Sequence, residues 1–340
     1  MTTQSGKQMI GRAGPPRTRY ALTDITTPGS GLFRLGDRKE SRLEGTEVVV
    51  KHAKQEVTYA TPYRLGADDW RVFLAIAALA GLDGVRFNKD SDAPALLPML
   101  WDRFLAEGIA KQRDALHIRT TAYALLREIG RHDGGKDRRD LSDSLKRLSS
   151  VVQTIRQGNK VASGSRLLSF AHDEDSGELM VGISPQMARA ILGESNQYVR
   201  ISLVEVRRLD NAAAVLIQAY LSSRLRPGKT ATYPIDTLVQ VLYGKDSAAP
   251  APATMRKRRQ RVREALLTFA EFTTWQVSLQ DDGRMATIHR VSREDMERWE
   301  KQYLADMRQE TGTALTDDGD DPAMLEGSVE PNEPVDEEAP

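Results

Sequence analysis

The chain has 340 residues, enough for two ordinary domains, and its lack of cysteine excludes disulfides, thiolate metal sites and a cysteine nucleophile. Its 48 basic and 48 acidic residues balance, but residues 313–340 hold ten of the acidic residues and none of the basic ones, so residues 1–312 carry a net charge of +10. The longest apolar run, residues 72–82, is too short to span a membrane, and the N-terminus has no apolar segment of the kind that a signal peptide requires. These two observations predict a cytoplasmic bacterial protein.

The N-terminal part predicts an arm followed by ordered elements. Residues 1–30 are rich in Gly, Pro, Ser and Thr with scattered cations, which is typical of a disordered arm. Beyond the arm, residues 46–52 and 56–59 predict a pair of strands. Residues 70–80 predict an apolar helix, whose N-terminus is favoured by two preceding aspartates. A further helix is expected over residues 93–107.

The next stretch predicts a strand, two helices and a set of turns and strands. The strand covers residues 116–119, a helix over residues 121–129 ends at Gly130, and a second helix covers residues 136–148. Leucines line one face of the second helix, and its other faces are basic. Three strands follow, at residues 150–157, 166–173 and 178–183. The candidate DNA-contacting cations of the second helix are Arg138, Arg139, Lys146 and Arg147, although a solvated basic face is the competing interpretation.

A hinge near residues 193–198 leads into a similar order of elements. Asp210 caps a long apolar helix over residues 211–225, and a short helix over residues 235–243 ends at a glycine. A final helix is predicted from a capping box at Ser292 to about residue 309.

Residues 254–275 hold the densest positive charge, with six cations among eight residues. At 100° per residue Met255, Val262, Leu266 and Phe269 fall within a narrow arc, which predicts an amphipathic helix with a buried stripe. A basic helix that also has a core face is typical of nucleic-acid-binding proteins.

The side chains of this helix divide by position into three sets. On the side opposite the buried stripe lie Arg256, Lys257, Gln260, Arg263 and Glu264. Thr254 is the predicted N-cap, at a helix end that attracts phosphate. Arg258 and Arg259 flank the buried stripe, where they are better placed for phosphates than for bases. The candidate DNA-binding residues of this helix are Thr254, Arg256, Lys257, Arg258, Arg259, Gln260, Arg261 and Arg263.

Two strands follow the basic helix, over residues 274–279 and 285–291, and an Asp-Gly turn joins them. Helix, linker, basic helix and hairpin is the order of a winged helix-turn-helix, in which the second helix enters the DNA major groove. A basic surface helix that enters no groove is the competing interpretation. The predicted fold class is therefore α+β, with two tandem winged-helix domains. The predicted boundaries are a disordered arm (1–30), a first winged-helix domain (31–193), a second (194–310) and a disordered acidic tail (311–340).

Two features, a stretch similar to a P-loop and the histidines, do not predict an active site. Gly228, Lys229 and Thr230 resemble the end of a P-loop, but Ser223 occupies the position of the required glycine and a helix precedes the loop. The five histidines have no metal-ligand spacing. No catalysis, cofactor or metal is expected.

Several short stretches resemble the RepC replication initiators of IncQ-type plasmids and, more distantly, the TrfA initiators of IncP plasmids. The longest is residues 254–266; the others are residues 31–34, 65–69, 166–169, 199–202, 205–207, 227–230 and 235–238. The resemblance covers about residues 31–293. It implies binding to direct repeats (iterons) of double-stranded DNA at a plasmid origin, followed by opening of an A·T-rich segment and loading of a helicase.

The resemblance also implies partners. These are a replicative helicase and a primase, encoded by the plasmid or the host, and a second copy of the chain in a homodimer formed by the first domain. Two alternatives stay open from the residues: a winged-helix transcriptional regulator that represses its own promoter, and a structural protein that uses its acidic tail as a hub.

Overall fold

The computed structural model describes residues 16–36, 43, 45–52, 55–87, 114–173, 176–195, 198–244, 250–268 and 274–311. The helix predicted over residues 93–107, the first half of the predicted arm and the acidic tail beyond residue 311 lie outside these residues. The described chain is a mixed α and β structure, and none of its helices has the length and apolarity that crossing a membrane requires.

The elements of the first part alternate between strands and helices. In chain order they are β1 (Tyr20–Asp24), β2 (Thr46–His52), β3 (Gln55–Thr61), α1 (Ala67–Asp83), β4 (Val85–Phe87), β5 (Ala115–Thr121), α2 (Ala122–Glu128), α3 (Gly135–Ser149), β6 (Val152–Gln157), β7 (Lys160–Arg166), β8 (Leu168–His172), β9 (Glu178–Ile183) and α4 (Pro185–Ile191).

The second part is also built from strands and helices. Its elements are β10 (Tyr198–Ser202), α5 (Leu203–Arg208), α6 (Ala212–Arg224), β11 (Thr230–Pro234), α7 (Ile235–Tyr243), α8 (Pro252–Thr268), β12 (Trp275–Gln280), β13 (Met285–Arg290) and α9 (Arg293–Thr311).

The same order of elements occurs twice, in a first unit (α1, β5, α2, α3, β8, β9) and a second unit (α6, β11, α7, α8, β12, β13). In each unit the last strand lies between the other two, in the orders β5-β9-β8 and β11-β13-β12. The predicted hairpin after the basic helix of the second unit is confirmed to within one residue. The two units therefore share their connectivity as well as their sequence of elements.

Between α3 and β8 the first unit is interrupted by a hairpin, β6–β7, of which the sequence predicts the first strand but not the second. The expected strand over residues 166–173 is the end of β7 followed by β8, with a break at Leu167. Strands β6 and β7 leave the unit and join β2 and β3 in a separate sheet, in the order β2-β3-β6-β7. Only β8 and β9 occupy the place that the hairpin β12–β13 has in the second unit.

Helix α1 lies at the centre of the core. Twelve of its residues, from Ala67 to Ala80, are buried, because it is apolar on all sides. The ring of Trp70 lies 5.0 Å from that of Phe33 and 5.6 Å from that of Phe73. The buried apolar side chains form one continuous cluster that extends through both units.

The predicted disorder of the arm is wrong for residues 16–30. Strand β1 pairs with β10 in antiparallel register, Tyr20 opposite Ser202. The buried carboxylate of Glu128 accepts hydrogen bonds from the backbone N–H groups of Arg17 (2.6 Å) and Thr18 (3.1 Å). Composition does not predict this order, because backbone pairing and a buried acceptor hold the segment as much as apolar side chains do.

Candidate nucleic-acid interface

Helix α8 packs against α6 and α7 through the stripe that its periodicity predicts. Val262, Ala265 and Leu266 are buried, and Met255 is partly buried against the core, whereas Phe269 lies outside the described residues. The helix begins at Pro252, a residue favoured in the first turn because it lacks a backbone donor. The prediction of Thr254 as the N-cap is therefore wrong, and Thr254 lies within the first turn.

The opposite face of α8 points to solvent. Arg256, Lys257, Gln260 and Glu264 are exposed on it. Neither Arg256 nor Lys257 has a hydrogen bond or an ion pair with any residue in the described ranges. The amide Nε2 of Gln260 donates to Oε1 of Glu264 at 2.9 Å, one turn further along. This face therefore has two cations that are available to a ligand.

Three further cations of α8 bind neighbouring elements. Arg259 donates through Nε (2.6 Å) and Nη2 (2.8 Å) to the two carboxylate oxygens of Asp236 in α7. These hydrogen bonds hold the pKa of Asp236 below its usual range. Arg261 donates to the hydroxyl of Tyr243 at 2.9 Å, and Arg263 donates to the carbonyl of Gly283 at 2.7 Å. These contacts fix α7, α8 and the hairpin relative to one another.

Arg258 does not flank the buried stripe as predicted. It is buried, and its guanidinium lies 4.3 Å from the ring centroid of Tyr243, which is itself buried. A guanidinium over an aromatic face is stabilised by the ring quadrupole. Arg258 therefore packs within the helix pair and does not reach a phosphate outside it.

The turn of the β12–β13 hairpin lies against α8. Asp282 and Gly283 both have left-handed backbone conformations, with φ of 53° and 76°. A Cβ atom at position 283 would lie 2.8 Å from Nε of Arg263. Glycine is required here both for its φ and for the close approach of Arg263, so the hairpin turn and the basic helix form one surface.

Helix α3 occupies in the first unit the place that α8 has in the second. Leu141, Leu145 and Leu148 are buried, as its periodicity predicts. Arg138 is exposed and donates to both carboxylate oxygens of Asp133 at 2.5 and 2.7 Å, which lowers the pKa of Asp133. Arg139 donates to the carbonyl of Gly135 in its own helix, and Lys146 lies 3.8 Å from a carboxylate oxygen of Asp143.

Arg147 is turned towards α1 and does not lie on the exposed basic face where the sequence pattern placed it. It donates through Nε (3.0 Å) and Nη2 (2.7 Å) to Oδ1 of Asp69, whose side chain is fully buried in the first turn of α1. Asp69 also accepts from the backbone N–H of Gly66 at 2.8 Å. Arg147 therefore neutralises a buried carboxylate and joins α3 to α1.

With this geometry established, the sequence was compared with known families. It matches the family Replication protein C (RepC) over residues 18–290.

The chain belongs to the RepC family. The match includes every strand and the helices from α1 to α8, whereas α9 and the residues that follow it lie beyond the match. A comparison with curated proteins found no match.

The solved structures that this RepC-family chain matches are distant from it in sequence. The crystal structure of the Pi initiator protein in complex with iteron DNA has 12% identity and a TM-score of 0.48, over 82% of this chain and 99% of that one. A structure of domains 2 and 3 of RctB has 12% identity and a TM-score of 0.43, over 76% and 94%. A second structure of the RctB domains 2-3 has 12% identity and a TM-score of 0.40, over 85% and 98%.

Sequence reasoning did not find the residues that hold the cations of this RepC-family protein in place. Asp236 and Tyr243 lie in α7, ahead of α8 in the chain, and Asp69 lies 78 residues before Arg147. No periodicity links such partners. The sequence places Glu264 on the same side of the helix as Gln260, but only the structure shows the hydrogen bond between them.

Proposed function

We propose that the protein initiates plasmid replication by binding repeated sites, or iterons, in double-stranded DNA at the origin. Its second winged-helix domain, residues 194–310, reads the bases, with α8 in the major groove and the β12–β13 hairpin along the backbone. The observation that carries the proposal is the outward face of α8, where Arg256 and Lys257 are exposed beside Gln260. Arginine and lysine bind guanine, and glutamine binds adenine, so this face has the groups that base reading requires.

The first domain, residues 31–193, acts in this proposal as a second winged helix. The shared element order and the middle positions of β9 and β13 support this assignment. Because Arg138 is paired with Asp133, α3 offers a weaker phosphate contact than α8, through Arg139 and the exposed part of Arg138. The same domain provides the contact of a homodimer.

Membership in a replication protein family supports the steps that follow binding. The bound protein opens a neighbouring A·T-rich segment and recruits the replicative helicase and primase, which the plasmid or the host supplies. It acts by binding and not by catalysis. The net charge of +10 on residues 1–312 draws the protein towards DNA before any specific contact forms.

A footprint on the DNA that flanks the gene tests the proposal. We expect protection of several direct repeats by the wild-type protein, and loss of that protection in the double variant Arg256→Ala/Lys257→Ala. The matched control is Arg138→Ala/Arg139→Ala, which also removes two cations from a helix. This control should keep the repeats protected and shorten the footprint at one end.

Other outcomes would change the assignment. Protection of a single inverted repeat over the promoter would favour a repressor. Loss of dimerisation alone in the α3 variant would assign α3 to a protein contact. Permanganate reactivity of thymines in a supercoiled origin plasmid measures opening, and an origin that stays unreactive when the repeats are saturated would contradict the initiator role.

A further inference from the structure

Glu264 is the one acidic residue in the sequence of α8, which has six cations. It is exposed on the face that carries Arg256, Lys257 and Gln260. It lies one turn beyond Gln260, roughly 6 Å along the helix axis. A carboxylate therefore stands within the surface that we propose for reading DNA.

Glu264 does not serve to neutralise the cations of its own helix. Arg259 is bound to Asp236, Arg261 to Tyr243 and Arg263 to Gly283. Among the described residues, the side-chain contact of Glu264 is the hydrogen bond that it accepts from Gln260 at 2.9 Å. An uncompensated negative charge is left on a positive face.

A carboxylate in this position is unfavourable near any phosphate, because both are anions. The carboxylate stabilises the complex in the major groove only where a base offers it a hydrogen-bond donor. The donors of the major groove are the exocyclic amino groups, N4 of cytosine and N6 of adenine. The carboxylate of Glu264 therefore weakens binding to DNA that has no exocyclic amino group within hydrogen-bond distance. It permits binding to DNA that has one.

The hydrogen bond between Gln260 and Glu264 also orients the side-chain amide of Gln260. One hydrogen of the Gln260 amide is donated to Glu264. The second hydrogen and the amide oxygen remain for a base: N7 of adenine accepts from the amide, and N6 of adenine donates to the amide oxygen. Glu264 fixes which way the amide of Gln260 faces.

We propose that Glu264 is a specificity-determining residue whose carboxylate accepts a hydrogen bond from the exocyclic amino group of one base in the bound site. This inference rests on the proposed function, because it assumes that α8 enters the major groove. Gln260, held by Glu264, reads the neighbouring base pair.

Selection of binding sites from a pool of random duplex DNA tests the proposal, with the full chain and its variants Glu264→Ala and Glu264→Gln. The wild-type site should contain one position that requires an amino-bearing base. Glu264→Ala should lose the preference there by about fivefold to a hundredfold while the other positions keep theirs. Glu264→Gln, which keeps an acceptor oxygen, should retain part of the preference. Both variants should bind random duplex DNA more tightly, because each removes a negative charge.

The matched control is Glu294→Ala, which removes an exposed carboxylate from α9 and should leave the selected sequence unchanged. Alanine favours helix, so Glu264→Ala retains the fold, which circular dichroism checks. An unchanged preference at every position in Glu264→Ala, or an equal loss at all positions, would overturn the inference and leave the proposed function intact. A wild-type protein that selects no sequence at all would overturn both.

Discussion

Helices α3 and α8 occupy equivalent places in two units of the same connectivity, and both are rich in cations. In α3, Arg138, Lys146 and Arg147 each lie beside an aspartate, and the aspartate that Arg147 binds is fully buried. In α8, Arg256 and Lys257 are exposed and have no partner in the described part of the chain. The comparison teaches that the number of cations in a helix does not measure the charge that it offers to a ligand. The charge that a helix offers to a ligand depends on the carboxylates that lie beside its cations.

The largest expected effect is on stability and comes from α3. Arg147→Ala leaves the buried carboxylate of Asp69 without its cation, and breaking a buried pair in this way costs about 3–5 kcal/mol. Urea unfolding measures the loss. The matched control is Lys146→Ala, which removes an exposed partner of Asp143 and should change the free energy of unfolding by less than about 1 kcal/mol. Equal stability of the two variants, with weaker DNA binding by Arg147→Ala alone, would break the comparison and make α3 a DNA contact.

The next effect is on DNA affinity and comes from α8. Arg256→Ala, Lys257→Ala and Gln260→Ala should each weaken binding to the specific site by about 1–3 kcal/mol, because each removes a contact with a base. Binding to random DNA should weaken less. Titrations of both DNAs, with Arg138→Ala as the control in α3, measure the difference. An equal loss on the two DNAs would show that these side chains contact phosphate alone.

A smaller effect should follow from releasing a paired cation of α8. Asp236→Ala removes the carboxylate that binds Arg259, so Arg259 becomes available to phosphate. The slope of log K against log salt should then steepen by about 0.9, which corresponds to one more phosphate contact. Salt titrations of the wild type and the variant measure this slope. An unchanged slope would mean that Arg259 leaves Asp236 for phosphate in the wild-type complex as well.

The smallest effect is expected from the acidic tail. Truncation after Gln309 removes the ten carboxylates of residues 313–340, which compete with DNA as a tethered polyanion. Binding to random DNA should tighten at low salt, and the specificity ratio should narrow. The effect should fade as the Debye length falls towards about 8 Å at physiological ionic strength. Titrations of random DNA with the full-length and the truncated protein, at two salt concentrations, measure the effect. Curves of the two proteins that superimpose at both concentrations would leave the tail with a solubilising role.

Local patterns predicted much of the second unit. The 3.6-residue period placed Val262 and Leu266 in the core, and the Asp-Gly pair placed the hairpin turn. The burial of Arg258 was not predictable in this way, because it depends on Tyr243, which lies across a loop in another helix. The same limit applies to Asp236 and Arg259. Periodicity shows which side of a helix faces inwards, but it does not show what a neighbouring element brings to the other sides.

The first unit was predicted less well, for a related reason. The period of α3 was correct, yet β7 was missed, because its residues (Lys160–Arg166) are polar and small and do not alternate. Strand β1 was missed because the residues around it resemble a disordered arm. Strand β1 depends on a partner distant in sequence, β10, whereas β7 pairs with the preceding strand β6 at the edge of the β2-β3-β6-β7 sheet. The backbone makes both pairings.

The pairing of β1 with β10 also has a consequence for the order of events during synthesis. Tyr198, the first residue of β10, is translated 174 residues after Asp24, its partner in β1. At about 5–20 residues per second, β1 waits on the order of ten to thirty seconds for its partner strand. Glu128, once translated, also lacks Arg207, with which it pairs at 3.1 Å, until residue 207 is made. Strand β1 therefore emerges from the ribosome unpaired. Ribosome-bound chains that end before residue 198 should be cleaved by protease within residues 16–24, whereas the released protein should resist.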